Sequence, residues 1–150
     1  MRIHHVTIPA HAPERVARVL AELLGARVIP IPHPRGTLLV YAGDVDGTAI
    51  EVWPANLRGG VGEHELTPRE LPLPEAWPHH AYVSTDAVDA DGILAVFARE
   101  GWRAEKVRNG PPERGFSLVR GWIENHAAIE LVGTDLRLEY ERFFAAALAA

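Results

Sequence analysis

The chain contains 150 residues, of which 47% are hydrophobic and 23% are charged, a composition typical of a folded globular domain. It contains no cysteine, which excludes disulfides, thiolate zinc sites, iron–sulfur clusters and a cysteine nucleophile. A formal net charge of −5 without a basic run argues against nucleic-acid binding.

The first half of the chain predicts a strand, a helix and three further strands. Residues 3–8 read Ile-His-His-Val-Thr-Ile, which is typical of a strand with one apolar face. Residues 13–24 carry apolar side chains at helical spacing, with Pro13 in the first turn and Gly25 as the stop. The three further strands are predicted over residues 27–29, 37–42 and 48–53.

The second half repeats this order after a linker. Residues 58–75 are rich in proline and glycine and are predicted to join two modules. A helix is predicted over residues 87–100, and the final helix over residues 134–150 has an apolar stripe that must pack on a surface. The strands of this half are predicted over residues 78–83, 103–107, 116–123 and 127–132.

Each half opens with His-His before a strand and closes with Ala-Ile-Glu followed by Val or Leu. Such an internal repeat indicates two copies of one structural unit. We therefore predict an α+β fold in a single domain. It consists of two tandem βαβββ modules with mixed sheets, at about residues 1–57 and 76–133, and a C-terminal helix.

Alternation along the strands predicts which side chains share a face. His5 lies opposite the apolar Val6 and Ile8, and Glu51 lies opposite Ile50 and Val52. The same parity places His80 and Glu130 on the corresponding face of the second module, and it allows Trp53 and Tyr82 to line a pocket there.

A strand carboxylate between apolar neighbours is costly unless it is paired or bound to a cation. Two imidazoles and two carboxylates suit one divalent ion such as Ni²⁺, Co²⁺, Zn²⁺, Mn²⁺ or Fe²⁺. The predicted metal ligands are therefore His5, Glu51, His80 and Glu130. The other histidines are expected to be solvated or structural: His4, His11, His33, His64, His79 and His126.

This pattern resembles the vicinal oxygen chelate superfamily, also called the glyoxalase/bleomycin-resistance/dioxygenase superfamily. The likeness lies in residues 5–8, 23–25, 49–52, 80–83 and 129–132. It implies curved sheets that enclose a metal site, with ligands from the first and last strands of each module. The His-Glu-His-Glu set is similar to that of bacterial-type glyoxalase I.

The resemblance implies a divalent-metal-dependent lyase or isomerase acting on a small α-oxygenated metabolite through an enediolate-type intermediate. Glu130 or Glu51 would be the catalytic base, by position in the family pattern. Two alternatives stay open: an Fe(II) dioxygenase, and a non-enzymatic sequestering protein of the bleomycin-resistance type.

A small-molecule ligand and a second copy of the chain are the expected partners. Modules in this superfamily pair within a chain or are exchanged between chains. No apolar stretch approaches the length of a membrane helix, and the N-terminus lacks the apolar segment of a signal peptide. We therefore expect a cytoplasmic protein without membrane or nucleic-acid partners. Arginine in place of lysine at nearly every basic position suggests a bacterial source.

Overall fold

The computed structural model describes residues 5–31, 36–44, 47–58, 67–68, 80–113 and 115–148. Its helices are α1 (Pro13–Leu24), α2 (Ala90–Glu100) and α3 (Arg137–Leu148). Its strands are β1 (His5–Ala10), β2 (Arg27–Ile31), β3 (Thr37–Tyr41), β4 (Ala49–Pro54), β5 (Leu57–Arg58), β6 (Thr67–Pro68), β7 (His80–Ser84), β8 (Ala104–Asn109), β9 (Phe116–Ile123) and β10 (Ala127–Val132). His4, His33, His64 and His79 lie outside the described residues.

Two four-stranded mixed sheets form the body of the fold, with strand orders β1-β4-β3-β2 and β7-β10-β9-β8. In each sheet the first and last strands of one module pair in parallel, and the other pairs are antiparallel. Each module therefore runs βαβββ, and the predicted α+β fold with a C-terminal helix is confirmed.

The predicted linker contains one small piece of regular structure. Strands β5 and β6 pair as a two-stranded antiparallel ladder at the start and in the middle of the segment predicted as linker. The rest of that segment, residues 59–66 and 69–75, lies outside the described residues.

Helix α1 has the predicted bounds because its sequence supplies both ends. Pro13 occupies the first turn, and Gly25 ends the helix with a φ of 62°, a left-handed conformation that glycine adopts without steric cost. Its buried side chains face β3 and β4 and are Val16, Ala17, Val19, Leu20 and Leu23. The face of each sheet that turns away from α1 or α2 is called the open face below. In the second module α3 covers the part of this face around Phe116, which packs against Tyr140 and Phe143.

Helix α2 begins at Ala90, three residues later than the sequence predicts. Asp89 is extended, and its Oδ1 accepts a hydrogen bond from the Gly92 amide at 2.8 Å, which makes it the N-cap. The preceding Thr85 is held outside the helix because its hydroxyl donates to the Leu23 carbonyl oxygen and accepts from the Ala87 amide. The predicted start at residue 87 was wrong because Val88 fits the apolar spacing of the helix but lies before its N-cap, Asp89.

Helix α3 also begins later than predicted, at Arg137. Asp135, two residues before α3, accepts the Ala90 amide through its Oδ1 at 2.9 Å, at the start of α2. Leu136 and Tyr140 of the predicted apolar stripe pack on the core, whereas Phe143 is 37% exposed. No helix in the described ranges is long and apolar enough to cross a membrane.

Both modules contribute to one continuous core. An ionic network also joins them across α1 and α2. Arg15 donates to Glu100 at 2.8 Å, and Arg99 donates to both carboxylate oxygens of Glu22 and to Glu100. These contacts link the two helices at the surface between the modules.

Candidate metal site

Two of the predicted ligands, His5 and Glu51, lie side by side on the open face of the first sheet. The parallel pairing of β1 with β4 sets His5 opposite Ala49 and Thr7 opposite Glu51. The His5 Nε2 and Glu51 Oε1 atoms are 3.9 Å apart. The His5 side chain is 52% exposed and that of Glu51 is 17% exposed, so this pair is accessible from the open face.

The Glu51 carboxylate has a fixed orientation. The indole Nε1 of Trp53 donates to Oε2 at 2.9 Å, and the Thr7 hydroxyl donates to the same oxygen at 3.4 Å. Trp53 reaches Glu51 because residues two apart on a strand share a face. With Oε2 held in this way, Oε1 is the oxygen directed toward His5.

The His5 and Glu51 atoms are close enough to approach one metal ion from neighbouring strands. A distance of 3.9 Å is too long for a hydrogen bond. Donor atoms about 2.0–2.2 Å from one ion at a tetrahedral angle lie about 3.4 Å apart, so the pair would close by roughly 0.5 Å to share an ion. We name His5, Thr7, Glu51 and Trp53 the first half-site.

In the second module, Glu130 is a buried carboxylate, 7% exposed, on β10. Arg120 on β9 is its register partner, and the guanidinium Nε and Nη2 donate to Oε1 at 3.0 and 2.8 Å. The ion pair offsets the desolvation of the carboxylate. The Arg120 side chain is 37% exposed, so the guanidinium reaches from the buried carboxylate to the open face.

Tyr82 lies opposite Glu130 in register, on β7. Its ring packs against those of Tyr140 and Phe116, and its hydroxyl is buried without a hydrogen-bond partner among the described residues. Burial raises the pKa of Tyr82 above its usual value, and Tyr140 and Glu130 raise it further. We name Tyr82, Arg120 and Glu130 the second half-site.

The structure places the fourth predicted ligand, His80, at the start of β7, where its backbone pairs with Ala128. Its side chain lies outside the described part of the chain. Among the described residues no three His, Asp or Glu side chains form a cluster suited to a metal ion. Within this part of the chain, His5 and Glu51 are therefore brought together, and Glu130 belongs to a separate cluster.

A groove of about 490 Å³ lies between the two modules, next to the edge strands β1 and β7. His5 stands at its rim on the first module, and Tyr82 and Ser84 line it from the second. The remaining lining is mostly apolar and includes Val6, Leu24, Ile50, Ala81 and Val83.

Sequence reasoning missed Arg120 and the two donors to Glu51. The signal for Arg120 was a single charged residue inside the apolar strand 116–123. A tight turn at residues 124–126 sets Arg120 opposite Glu130 in the antiparallel register. Trp53 was predicted to line a pocket, but its hydrogen bond to Glu51 depends on a side-chain rotamer that the sequence does not specify.

We compared the chain with known proteins by sequence and by structure. The amino-acid sequence matches no family model and no curated protein. Among solved structures, the fosfomycin resistance protein FosX from Listeria monocytogenes is 12% identical, with a TM-score of 0.62 over 94% of this chain and 97% of that one. A protein from Bacillus anthracis described as a glyoxalase family member is 17% identical, with a TM-score of 0.55 over 89% and 94%.

The chain has the vicinal oxygen chelate fold. A further structure with this fold is a variant of Listeria monocytogenes FosX that holds Mn(II) and 1S,2S-dihydroxypropylphosphonic acid. It is 12% identical to this chain, with a TM-score of 0.60 over 89% of this chain and 90% of that one. At identities this low, the similarity establishes a shared backbone fold.

Proposed function

We propose that the chain binds one divalent metal ion through His5, Glu51, His80 and Glu130. We further propose that it acts as a lyase or isomerase on a small α-oxygenated metabolite. The observation that carries the proposal is the first half-site, where a carboxylate oriented by two donors lies 3.9 Å from an imidazole nitrogen. Binding of Mn(II) by a FosX variant of the same fold supports a divalent ion.

The donor set fits such an ion. Imidazole nitrogen and carboxylate oxygen are ligands that Mn²⁺, Fe²⁺, Co²⁺, Ni²⁺ and Zn²⁺ all accept. On the second sheet the buried Glu130 carboxylate lies beside a guanidinium, which supports its use as an anionic ligand.

We propose that two copies of the chain complete each site. The described ligands fall into two half-sites, and no described cluster joins them. Strands β1 and β7 are the edges of their sheets, and Val6 on β1 is 37% exposed next to the groove. Edge strands with exposed apolar side chains are suited to association with a second copy.

In this proposal each residue of the site has a separate chemical role. A divalent ion supplies Lewis-acid stabilisation of negative charge on the substrate oxygens when bound. The carboxylates of Glu51 and Glu130 are the candidate bases for the proton on the adjacent carbon. Trp53 and Thr7 keep the Glu51 carboxylate in place, and the largely apolar groove beside His5 could receive an apolar part of the substrate.

The metal is tested by elemental analysis of untagged protein prepared without chelator. We expect about one divalent ion per chain in the wild type and none in the Glu51→Gln/Glu130→Gln double variant. Glu105→Gln is the matched control, because Glu105 faces the same side as Glu130 but is exposed and outside the ligand set. Absence of metal from the wild type after loading with Ni²⁺, Zn²⁺, Mn²⁺ and Fe²⁺ would overturn the proposal.

The reaction class is tested by deuterium incorporation from solvent into a panel of small α-hydroxy ketones and α-hydroxy acids. Incorporation at the carbon next to the chelating oxygen, lost in the double variant, supports a lyase or isomerase. Tight binding of these compounds without incorporation would favour a sequestering protein instead. Native iron with oxygen-dependent turnover would favour a dioxygenase.

A further inference from the structure

We propose that Arg120 is an anion-binding residue of this site, so that the ligand carries a carboxylate, phosphonate or phosphate group. The inference rests on the proposed function for the location of the ligand. It concerns the substrate class, which the metal ligands leave open.

Arg120 has more donors than Glu130 uses. A guanidinium carries five N–H bonds. Two of them, one on Nε and one on Nη2, donate to a single oxygen of Glu130. The other three, including both on Nη1, have no hydrogen-bond acceptor among the described residues. Because the side chain is 37% exposed, these donors are accessible from the open face.

The shape of the guanidinium determines which ligand groups it can bind. Its planar fork matches two oxygens of a carboxylate, phosphonate or phosphate, and such charge-assisted pairs are stronger than neutral hydrogen bonds. A neutral diol or carbonyl offers no such match. Arg120 therefore selects ligands by their negative charge. This selection adds to the requirement for chelating oxygens that a metal ion would impose.

The charges of the site also favour an anion. If Glu51 and Glu130 held a divalent ion, their two charges would balance it, and the charge of Arg120 would be left without a counter-charge. Glu105 is the register neighbour of Arg120 on β8, but it is exposed and no ion pair joins the two in the described part of the chain. A carboxylate in water is screened and compensates a partly buried cation weakly. An anionic ligand supplies the missing charge inside the site.

The test uses metal-free protein and inorganic phosphate, measured by isothermal titration calorimetry. In the wild type, the Glu130 carboxylate offsets the charge of Arg120 and repels phosphate. Glu130→Gln removes that negative charge, and we expect phosphate affinity to rise about tenfold, in line with the greater strength of charge-assisted pairs. The gain should disappear in Glu130→Gln/Arg120→Gln and persist in part in Glu130→Gln/Arg120→Lys.

Arg18→Gln is the matched control. Arg18 is an exposed arginine on α1 and belongs to neither half-site. It should leave phosphate binding unchanged in the Glu130→Gln background. Equal phosphate affinity of Glu130→Gln and Glu130→Gln/Arg120→Gln would overturn the inference. If either variant fails to fold by circular dichroism, the comparison of wild type with Arg120→Lys and Arg120→Gln decides the same point.

The two proposals fail separately. One metal ion per chain with no effect of Arg120 on phosphate would overturn the anion assignment and leave the metal site standing. An Arg120-dependent phosphate site without any metal would overturn the metalloprotein and leave the anion assignment standing.

Discussion

The indole Nε1 of Trp53 donates a 2.9 Å hydrogen bond to Oε2 of Glu51, two residues earlier on the same strand. The bond fixes one carboxylate oxygen and leaves the other, Oε1, 3.9 Å from the His5 Nε2 atom. In metal sites such outer partners orient the ligand and raise the affinity for the ion. The first half-site thus has a ligand pair and the donors that orient it.

Trp53→Phe keeps the ring and removes the indole donor. We expect divalent-ion affinity to fall about tenfold, the lower end of the range for loss of an outer partner. Competition with a fluorescent chelator measures this affinity directly. Trp122→Phe is the control, because Trp122 lies in register with Ala128 rather than with a carboxylate. Unchanged affinity in Trp53→Phe would show that Thr7 alone orients Glu51.

Strand alternation predicted that His5 and Glu51 share a face of the first sheet. His5 and Glu51 occupy the predicted face because β1 and β4 are short strands of fixed parity. The sequence could not predict that Glu130 is paired with an arginine, because that contact depends on the register across a turn. Glu124 and Asn125 in this turn have positive φ values of 50° and 61°, which residue type alone does not indicate.

Gly121 is a position where the second module tolerates no side chain. A Cβ added there would overlap the ring of Phe97 on α2. Gly121→Ala should therefore lower the free energy of unfolding by about 1–3 kcal/mol through overpacking, as measured by urea denaturation. Combining it with Phe97→Leu should cost less than the sum of the two single changes. Strict additivity would show that the backbone shifts instead.

The ionic network between α1 and α2 should make stability depend on acid pH. Hydrogen bonds from Arg99 lower the pKa of Glu22, and hydrogen bonds from Arg15 lower the pKa of Glu100. A carboxyl whose pKa is lower in the folded state stabilises the protein above its unfolded pKa, roughly 4.3. This stability is lost as pH falls through the folded value.

We therefore expect Arg99→Gln to lower the melting temperature at pH 7 and to have a smaller effect at pH 3. The lower pH lies below the pKa of an unfolded glutamate, roughly 4.3, so the unfolded chain takes up protons there and the stabilisation declines. Differential scanning calorimetry at the two pH values measures this difference. Arg142→Gln, an exposed arginine on α3, serves as the control and should have little effect at either pH. An equal effect of Arg99→Gln at both pH values would contradict the network.

Glu124 caps a helix in the other module. Its carboxylate accepts the His11 and Ala12 amides at 2.6 and 2.8 Å, and Ala12 itself has no side-chain cap to offer. Glu124→Ala should lower the free energy of unfolding by about 1 kcal/mol, and Glu124→Gln by less because it keeps an acceptor. Equal losses in urea denaturation would show that charge, rather than hydrogen bonding, provides the stabilisation.

Contacts between the modules were the part of the fold that the sequence predicted least. The repeat indicates two similar units, but it does not say which surfaces meet. Glu124 accepts a backbone amide at the start of α1, and Asp135 accepts one at the start of α2. Both residues are far in the sequence from the helix they contact. Local propensity contains no information on such partners, so these contacts between the modules could not be predicted.

The proposed sharing of each site between two copies makes a prediction that a site within one chain does not. A His5→Ala chain and a Glu130→Ala chain each lack one ligand, so neither variant alone should bind metal tightly. In a mixed dimer with exchanged modules, one site lacks both ligands and the other site is intact. Mixing the two variants after unfolding and refolding should therefore restore one tight site per mixed dimer.

Metal content of the separated mixed dimer, isolated through different affinity tags that are removed afterwards, measures this recovery. Refolded His5→Ala alone and Glu130→Ala alone are the controls for damage during refolding. If each site were built from one chain, both sites of the mixed dimer would still lack a ligand and no tight binding would return. Recovery thus tests how the half-sites combine, independently of any substrate, because it depends only on which chain supplies His5 and which supplies Glu130.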